Sequence, residues 1–458
     1  MMTSKLLSTA LAMSLLLPLA QAQDTVAQDT AALAYRDAVE TPPRGWTGPV
    51  FRLSHDYPTE APAACDVREC PWLATNQSMF SQAPGGSVPL WDAQWSAYMK
   101  KIFDYIKDGQ DPMLSNQKGW DVKVGGKTRW YHVPWMSYDP TRGREFVHGL
   151  TNERTATISD FHKPLDHHFG LNTLQASVNP NAKFETWAFG VYNDYGAYSI
   201  GKSWGKDGLP QVASYDGVRA PAGLPFATGT VVAKLLFTTA TEKDAPYLKG
   251  SPAWQADRHV MNGQNPTCER KVQVVHLVQM DIAVVDPNSP GRWVFGTYIW
   301  DGNRPGKTAW DHLVPVGLQW GADPWTFPAV PRAESIPVRQ SVLNPRRPNA
   351  QTGCQGRLAG PVDNKQSSCL SCHGGAFAST SSALSVPTGT PPIFGFPGLC
   401  TQYSLENAQY FNNVQFPQGY TGGQYPDVMN LDTSLQLQVS FFQYAQYKHA
   451  GKPAACTQ

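Results

Sequence analysis

The sequence has almost no excess of charge. Its 458 residues hold 37 Lys and Arg against 36 Asp and Glu, a formal net charge of +1. No nucleic-acid or membrane-surface partner is implied, because such binding rests on concentrated positive charge. Charged residues of both signs amount to only 16%. Gly, Pro, Trp and Tyr are abundant instead, a composition that favours strands, turns and structured loops over helices. Past the first two dozen residues no apolar run reaches the roughly 20 residues that a bilayer requires, so no membrane span is expected after removal of the leader. The sequence also lacks a G-x-S-x-G elbow, a phosphate loop and a metalloprotease helix, and no internal repeat is evident.

What is present begins with the leader. Lys5 supplies a positive n-region, and residues 6–19 form an apolar run broken only by Ser8, Thr9, Ser14 and Pro18. Ala20-Gln21-Ala22 then fits the small-x-small cleavage rule, so residues 1–22 read as a signal peptide. The expected location is the periplasm or the outside of the cell. Eight cysteines follow: Cys65, Cys70, Cys268, Cys354, Cys369, Cys372, Cys400 and Cys456. Cys369 and Cys372 belong to the motif below. The other six are an even number in an exported chain and are expected to form disulfides. Cys65 with Cys70 is the natural local pair, and the rest of the pairing stays open.

Hydrophobic periodicity divides the mature chain into three parts. Residues 23–180 form an N-terminal extension of loops with one amphipathic helix over 92–107, in which Trp95, Tyr98, Met99, Ile102, Phe103 and Ile106 share a face and Asp92 is the cap. Residues 181–378 read as an antiparallel sheet. Residues 187–200 suit a strand and turn. In 229–238, Val231, Ala233, Leu235 and Phe237 alternate. In 272–285, Val272, Val274, His276, Val278, Met280, Ile282 and Val284 do so, and 293–300 closes a hairpin. Residues 379–458 are a loop followed by a helix over 432–449, with Asp432 as cap and Leu435, Val439, Phe442 and Ala445 on one side. The fold class is mainly β (α+β), with long loops and a few helices.

Cys369-Leu370-Ser371-Cys372-His373 is a C-x-x-C-H sequence. Its spacing suits covalent haem c: two thiols add across the vinyl groups, and the adjacent histidine reaches the iron from the same turn. A zinc half-site is disfavoured because no second Cys/His pair has suitable spacing. A thioredoxin-like dithiol is disfavoured because no βαβ pattern surrounds the motif. The expected cofactor is one covalent haem c, with His373 as the metal ligand. For the sixth position Met429 is a candidate by sequence order, set against a loop residue packing under the last helix. His276 and Met280 read as core rather than ligands. His162, Asp166, His167 and His168 (HKPLDHH) are the other dense cluster of ligand types; a second metal and a solvated polar loop are the two readings, and the loop is the blander one.

FATGTVVAKLLF (226–237), MDIAVVDPNSPGRWVFGTYIWDG (280–302) and SSCLSCHGGAF (367–377) together resemble the cytochrome P-460 family, which includes the cytochromes c′-beta. The likeness covers about residues 185–378; a G-T-x-x-x-K strand and a D-x-x-x-P-G-x-W turn carry it beside the C-x-x-C-H, and Gly190-Val191-Tyr192-Asn193 matches the preceding strand. The whole chain also looks like larger cytochrome c family proteins. The resemblance implies a haem lying on an antiparallel sheet with His373 proximal, an often open sixth position, and a possible homodimer. Lys234 matches the lysine of the strand pattern. The family implies a porphyrin-cross-linking role for it; the plainer expectation, from the residue itself, is a strand lysine reaching solvent. Two function classes follow. The first is a redox or electron-transfer protein with a partner protein. The alternative is a haem enzyme or gas binder of the same family type, acting on hydroxylamine, nitric oxide or peroxide through an open distal site. No catalytic base can be named from the residues. The leader yields a test: chain recovered from the periplasm of an expressing bacterium is expected to begin near Gln23, read by N-terminal sequencing, and a retained leader would refute the cleavage reading.

Overall fold

The computed structural model describes residues 41–450 except 51–53, 76–78, 81–90, 116–118, 135–137, 140–142, 145–149, 158–182, 206–210, 216–217, 263–264, 290–291, 321–340, 348–352, 354–356, 364–367, 375 and 380–427. The leader, the HKPLDHH cluster with His162, His167 and His168, and Cys354, Cys400 and Cys456 lie outside the described residues.

The centre is an eight-stranded antiparallel sheet. Its strands are β1 (Leu150–Thr157), β2 (Lys183–Tyr192), β3 (Val231–Thr238), β4 (Ala253–Asn262), β5 (Asn265–Val285), β6 (Trp293–Trp300), β7 (Leu313–Gln319) and β8 (Ser341–Leu343). They are ordered β8-β7-β6-β5-β3-β2-β1, with β4 paired to the first half of β5. The sheet thus takes its edge strand β1 from the segment read as an N-terminal extension.

The expected face of β5 needs correction. Val278, Met280, Ile282 and Val284 are buried as the alternation predicts, but Val274 is 52% exposed, while Val275 and Leu277 are buried. A register shift between Leu277 and Gln279 is the cause. One extra residue at a bulge flips every later side chain to the other side. Val272, Val274 and His276 therefore lie on the outer side, and His276 is not core.

One face of the sheet packs under helix α1 (Ala93–Lys107). Asp92 caps it as expected, accepting from the N–H groups of Gln94 and Trp95. Trp95, Tyr98, Met99, Ile102 and Ile106 are buried, each contributing about 1.5–3 kcal/mol by leaving water. Two buried hydroxyls fix the helix to the sheet: Tyr98 donates to Asp286 and Tyr298 donates to the Met99 carbonyl. The Cys65–Cys70 disulfide has the expected pairing, with Cα atoms 5.9 Å apart, and Cys268 is disulfide-bonded as well. Gly229, at φ +91, lies against that first disulfide; a Cβ there would come within 2.6 Å of Cys65 Cβ.

The second face carries a separate apolar cluster. Residues 187–200, expected as strand and turn, are the end of β2 followed by helix α2 (Asp194–Trp204). Asn193 makes the switch. Its Oδ1 accepts from the N–H groups of Gly196 and Val231, and its Nδ2 donates to the Gly229 carbonyl and the Tyr105 hydroxyl. A fully satisfied buried amide thus caps α2 and ties it to β3. Ile200 and Trp204 point into the cluster. The last helix, α4 (Leu435–Ala450), buries Leu437, Phe441, Tyr444 and Ala445, whereas Phe442 is 39% exposed. The buried stripe is thus centred elsewhere than the sequence periodicity indicated, and only Ala445 of the expected set lies at its heart.

Two predictions follow from these contacts. Asn193→Ala leaves several buried backbone groups unpaired and is expected to lower unfolding free energy by about 2–4 kcal/mol, read by urea titration; a loss below measurement error would refute the role. His132 is buried, accepts from the Ser54 N–H and has its pKa lowered to about 3 by burial and then by the charge of His55. It stays neutral in the fold while the unfolded chain titrates near 6.5. Its contribution is whole above about pH 6.5 and is lost as pH falls toward 3, by up to about 1.4 kcal/mol per pH unit. Urea unfolding of wild type and His132→Gln at pH 7, 5.5 and 4 should show their difference shrinking with acid; a constant difference contradicts it.

Candidate functional site

The motif forms a single short turn of helix, α3 (Cys369–His373), too brief to be stable alone. It is pinned from outside. Gln319, buried at the end of β7, accepts from the Leu370 N–H and donates to the Ser368 hydroxyl. The Cys369 N–H reaches the Leu358 carbonyl, and the chain leaves through the bonds of Gly374 to Leu370 and Ala376 to His373. Strand β9 (Phe377–Ser379) then pairs with β10 (Val428–Asn430), and the Leu431 N–H bonds to the Ala376 carbonyl. Cys369 takes part in no disulfide.

His373 is the best-defined member. Its Nδ1 lies 3.0 Å from the carbonyl oxygen of Thr433. A carbonyl can only accept, so Nδ1 carries the proton and Nε2 keeps its lone pair. The ring packs on Phe295, centroids 4.9 Å apart, and Phe295 stacks on Trp293. Burial, opposed by the Thr433 bond and helped by the charge of Lys234, brings the His373 pKa down to about 4. The imidazole is therefore neutral at ordinary pH, in the form that binds metals.

The carbonyl that orients it stands on an unusual turn. Asp432 and Thr433 have φ of 48° and 66°. Two successive left-handed residues without glycine cost about 1–3 kcal/mol each unless their surroundings over-determine them, and a β-branched residue is the rarer case. Asp432 was expected to cap the last helix. It does not; the Ser434 hydroxyl accepts from the Leu437 N–H in that role. Asp432 is 2% exposed and accepts from the Phe226 N–H at 2.8 Å, from Trp293 Nε1 at 3.0 Å and from Arg292 Nη1 at 3.1 Å.

The sheet beneath the motif is polar at one level. Asp281 stands opposite Lys234 on β3 and Thr297 on β6. It accepts from the Thr297 hydroxyl at 2.8 Å and from Gln279 Nε2 at 2.9 Å. Gln279 Nε2 also approaches Asp363, and its Oε1 accepts from the Val362 N–H. Burial, and then the nearby Asp363, push the Asp281 carboxyl well above the usual range, against Thr297 and Lys234. Burial and the same two carboxylates raise the Cys369 thiol. Lys234 is half-buried, and its charge acts on both Asp281 and His373. Its stem stands on the sheet level of Asp281, and the half-burial is compatible with a head that reaches solvent.

Cys369, Cys372, His373 and Lys234 are thus brought together. Met429 lies in β10 with its backbone opposite Ala378, four positions before the carbonyl that holds Nδ1. Sequence reading missed Thr433, Arg292, Asp281, Phe295 and Gln319. Arg292-Trp293 lies in the D-x-x-x-P-G-x-W turn already noted, and Asp281 opens the same stretch; Thr433 acts through its backbone and leaves no sequence signal. No protein-family model matches the chain, and no curated protein or solved structure does either.

Proposed function

We propose that the chain is an exported c-type haem protein with one covalent haem, attached through Cys369 and Cys372 and ligated by His373. One observation carries the reading: the His373–Thr433 bond presents a neutral imidazole whose Nε2 lone pair is available, with both cysteines on the same turn. The alternative chemistries of C-x-x-C fit less well. A redox dithiol needs a depressed thiol pKa, and that of Cys369 is raised. Zinc needs about four ligands, and the sequence holds no second Cys/His pair of suitable spacing. The donor set therefore fits the haem. When bound, that group supplies one-electron chemistry and an iron coordination position. The chain's own contribution is to fix the imidazole tautomer, to cover the ring with Phe295, which Trp293 backs, and to set Lys234 and the buried Asp281 beneath the motif.

A redox or electron-transfer role with a partner protein is the first functional reading. The second, an open distal site binding a small molecule in the manner of the cytochrome P-460 type, draws support from Met429. Its strand is tied to β9, which follows His373 directly, and precedes the turn that contacts Nδ1. The Met429 backbone thus belongs to the same strand pair and turn that support His373, which favours the reading in which it is not the sixth ligand. No helix of the described residues is long and apolar enough to cross a membrane.

The pigment of purified wild-type protein is expected to remain with the polypeptide through acid-acetone extraction and denaturing electrophoresis. Cys372→Ala should reduce or abolish that retention. Ferrous protein should bind carbon monoxide at once, and Met429→Ala should leave the spectrum unchanged. Haem that extracts freely ends the covalent reading; a sulfur-to-iron charge-transfer band lost in Met429→Ala, with newly gained carbon monoxide binding, ends the open-site reading and favours the carrier.

A further inference from the structure

We propose, resting on the haem reading above, that Asp432 is a positioning residue that sets the reduction potential by holding the Thr433 carbonyl against His373 Nδ1. The hub is built from three places in the chain. The Phe226 N–H belongs to the loop before β3, Arg292 to the turn between β5 and β6, Trp293 to the start of β6, and Asp432 to the turn before α4. Arg292 closes the arrangement, since its Nη2 donates to the Phe226 carbonyl at 2.7 Å while its Nη1 reaches both Asp432 oxygens at 3.1 and 3.3 Å. The carboxylate is buried and bound from several sides.

Its neighbour gains from this. The turn is clamped before and after: the Leu431 N–H bonds to the Ala376 carbonyl, and the Ser434 hydroxyl pairs with that of Tyr192 at 3.1 Å. Between these clamps the two left-handed residues aim the Thr433 oxygen at His373, and the same oxygen takes the Leu435 N–H at 3.1 Å. Without the grip on Asp432 the strained pair relaxes toward right-handed or extended geometry, and the oxygen turns away. A ligand histidine that donates from Nδ1 is more basic and favours the ferric iron; one that has lost the acceptor favours the ferrous iron. Outer partners of this kind change metal-site equilibria by about 10–100-fold.

Two substitutions of opposite charge effect separate positioning from simple electrostatics. Asp432→Asn removes a negative charge, and Arg292→Gln removes a positive one. A purely electrostatic influence on the iron would move their midpoint potentials in opposite directions. Positioning moves both upward, Asp432→Asn by a shift equivalent to about tenfold, or ~59 mV for one electron, and Arg292→Gln by less. Arg258→Gln breaks the ion pair with Glu185 at the far end of the sheet and serves as the control for lost stability; it should lower the melting temperature and leave the potential alone. Covalent haem is first confirmed on a denaturing gel, so that its absence in wild type refutes the haem reading and not this one. Potentials that move apart, or that both stay at the wild-type value, overturn the proposal. Should Asp432→Asn fail to accumulate, Arg292→Gln decides by itself: a rise supports the proposal, and a fall or no change overturns it.

Discussion

The bulge at Leu277–Gln279 in the longest strand sets which side chains each face of the sheet carries. Before Leu277–Gln279, β5 turns Val275 and Leu277 to the main core. After it, Val278, Met280, Ile282 and Val284 take over that task, and Gln279, Asp281 and Ala283 face the other way. Because the side-chain period of a strand is two, one inserted residue is enough to do this. The consequence is a sheet with a dry face under α1 and a second face on which Val285, Trp293, Phe295 and Tyr192 form an apolar floor beside the polar row of Lys234, Asp281 and Thr297. The C-x-x-C-H turn lies against that second face.

The motif itself has little stability of its own. Five helical residues cannot persist without tertiary support, and here the support is distributed. Gln319 holds its beginning, the β9–β10 pair carries its exit, and Thr433 takes the histidine ring. Each of these reaches the motif from a different region of sequence, so the site exists only when the sheet has formed. Gly190 is part of the same assembly. A Cβ there would stand 2.2 Å from Gln436 Nε2, so the absence of a side chain leaves room for that amide of α4 over β2.

Charge in the site is arranged against the cost of burial. Burial and then the nearby Asp363 oppose the ionisation of Asp281, and Thr297 and Lys234 offset part of that. Asp432 is satisfied differently: it accepts charge-assisted and neutral hydrogen bonds from three donors in a nearly closed environment. A buried carboxylate with that many donors is a rigid point, and it sits one residue from the oxygen that fixes the imidazole. The two acids thus do opposite things near the same group, one tuning the field beneath the motif and the other fixing geometry above it.

Much of this was legible in the residues alone, and the division is physical. Local patterns determined what depends on neighbours in sequence: the C-x-x-C-H turn, the Asp92-capped helix with its apolar stripe, the strands at 231–238 and 293–300, and the Cys65–Cys70 pair, five residues apart. Periodicity could not show the bulge in β5, because the residues on either side of it are apolar on both faces, so Val274 and His276 were assigned to the wrong side. It could not show that Asn193 starts a helix, since the amide needs Val231 and Gly229 as well as Gly196 to be satisfied. It read Asp432 as a cap from its place before α4, whereas the donors that claim it, Arg292 and Trp293, are about 140 residues away in sequence. Thr433 acts through a backbone oxygen that every residue possesses, so side-chain identity carries no trace of its role. The sequence by itself determined which residues could carry the chemistry; only the tertiary structure decided which way His373 points, because that direction is set by hydrogen bonds between segments that meet nowhere but in the fold.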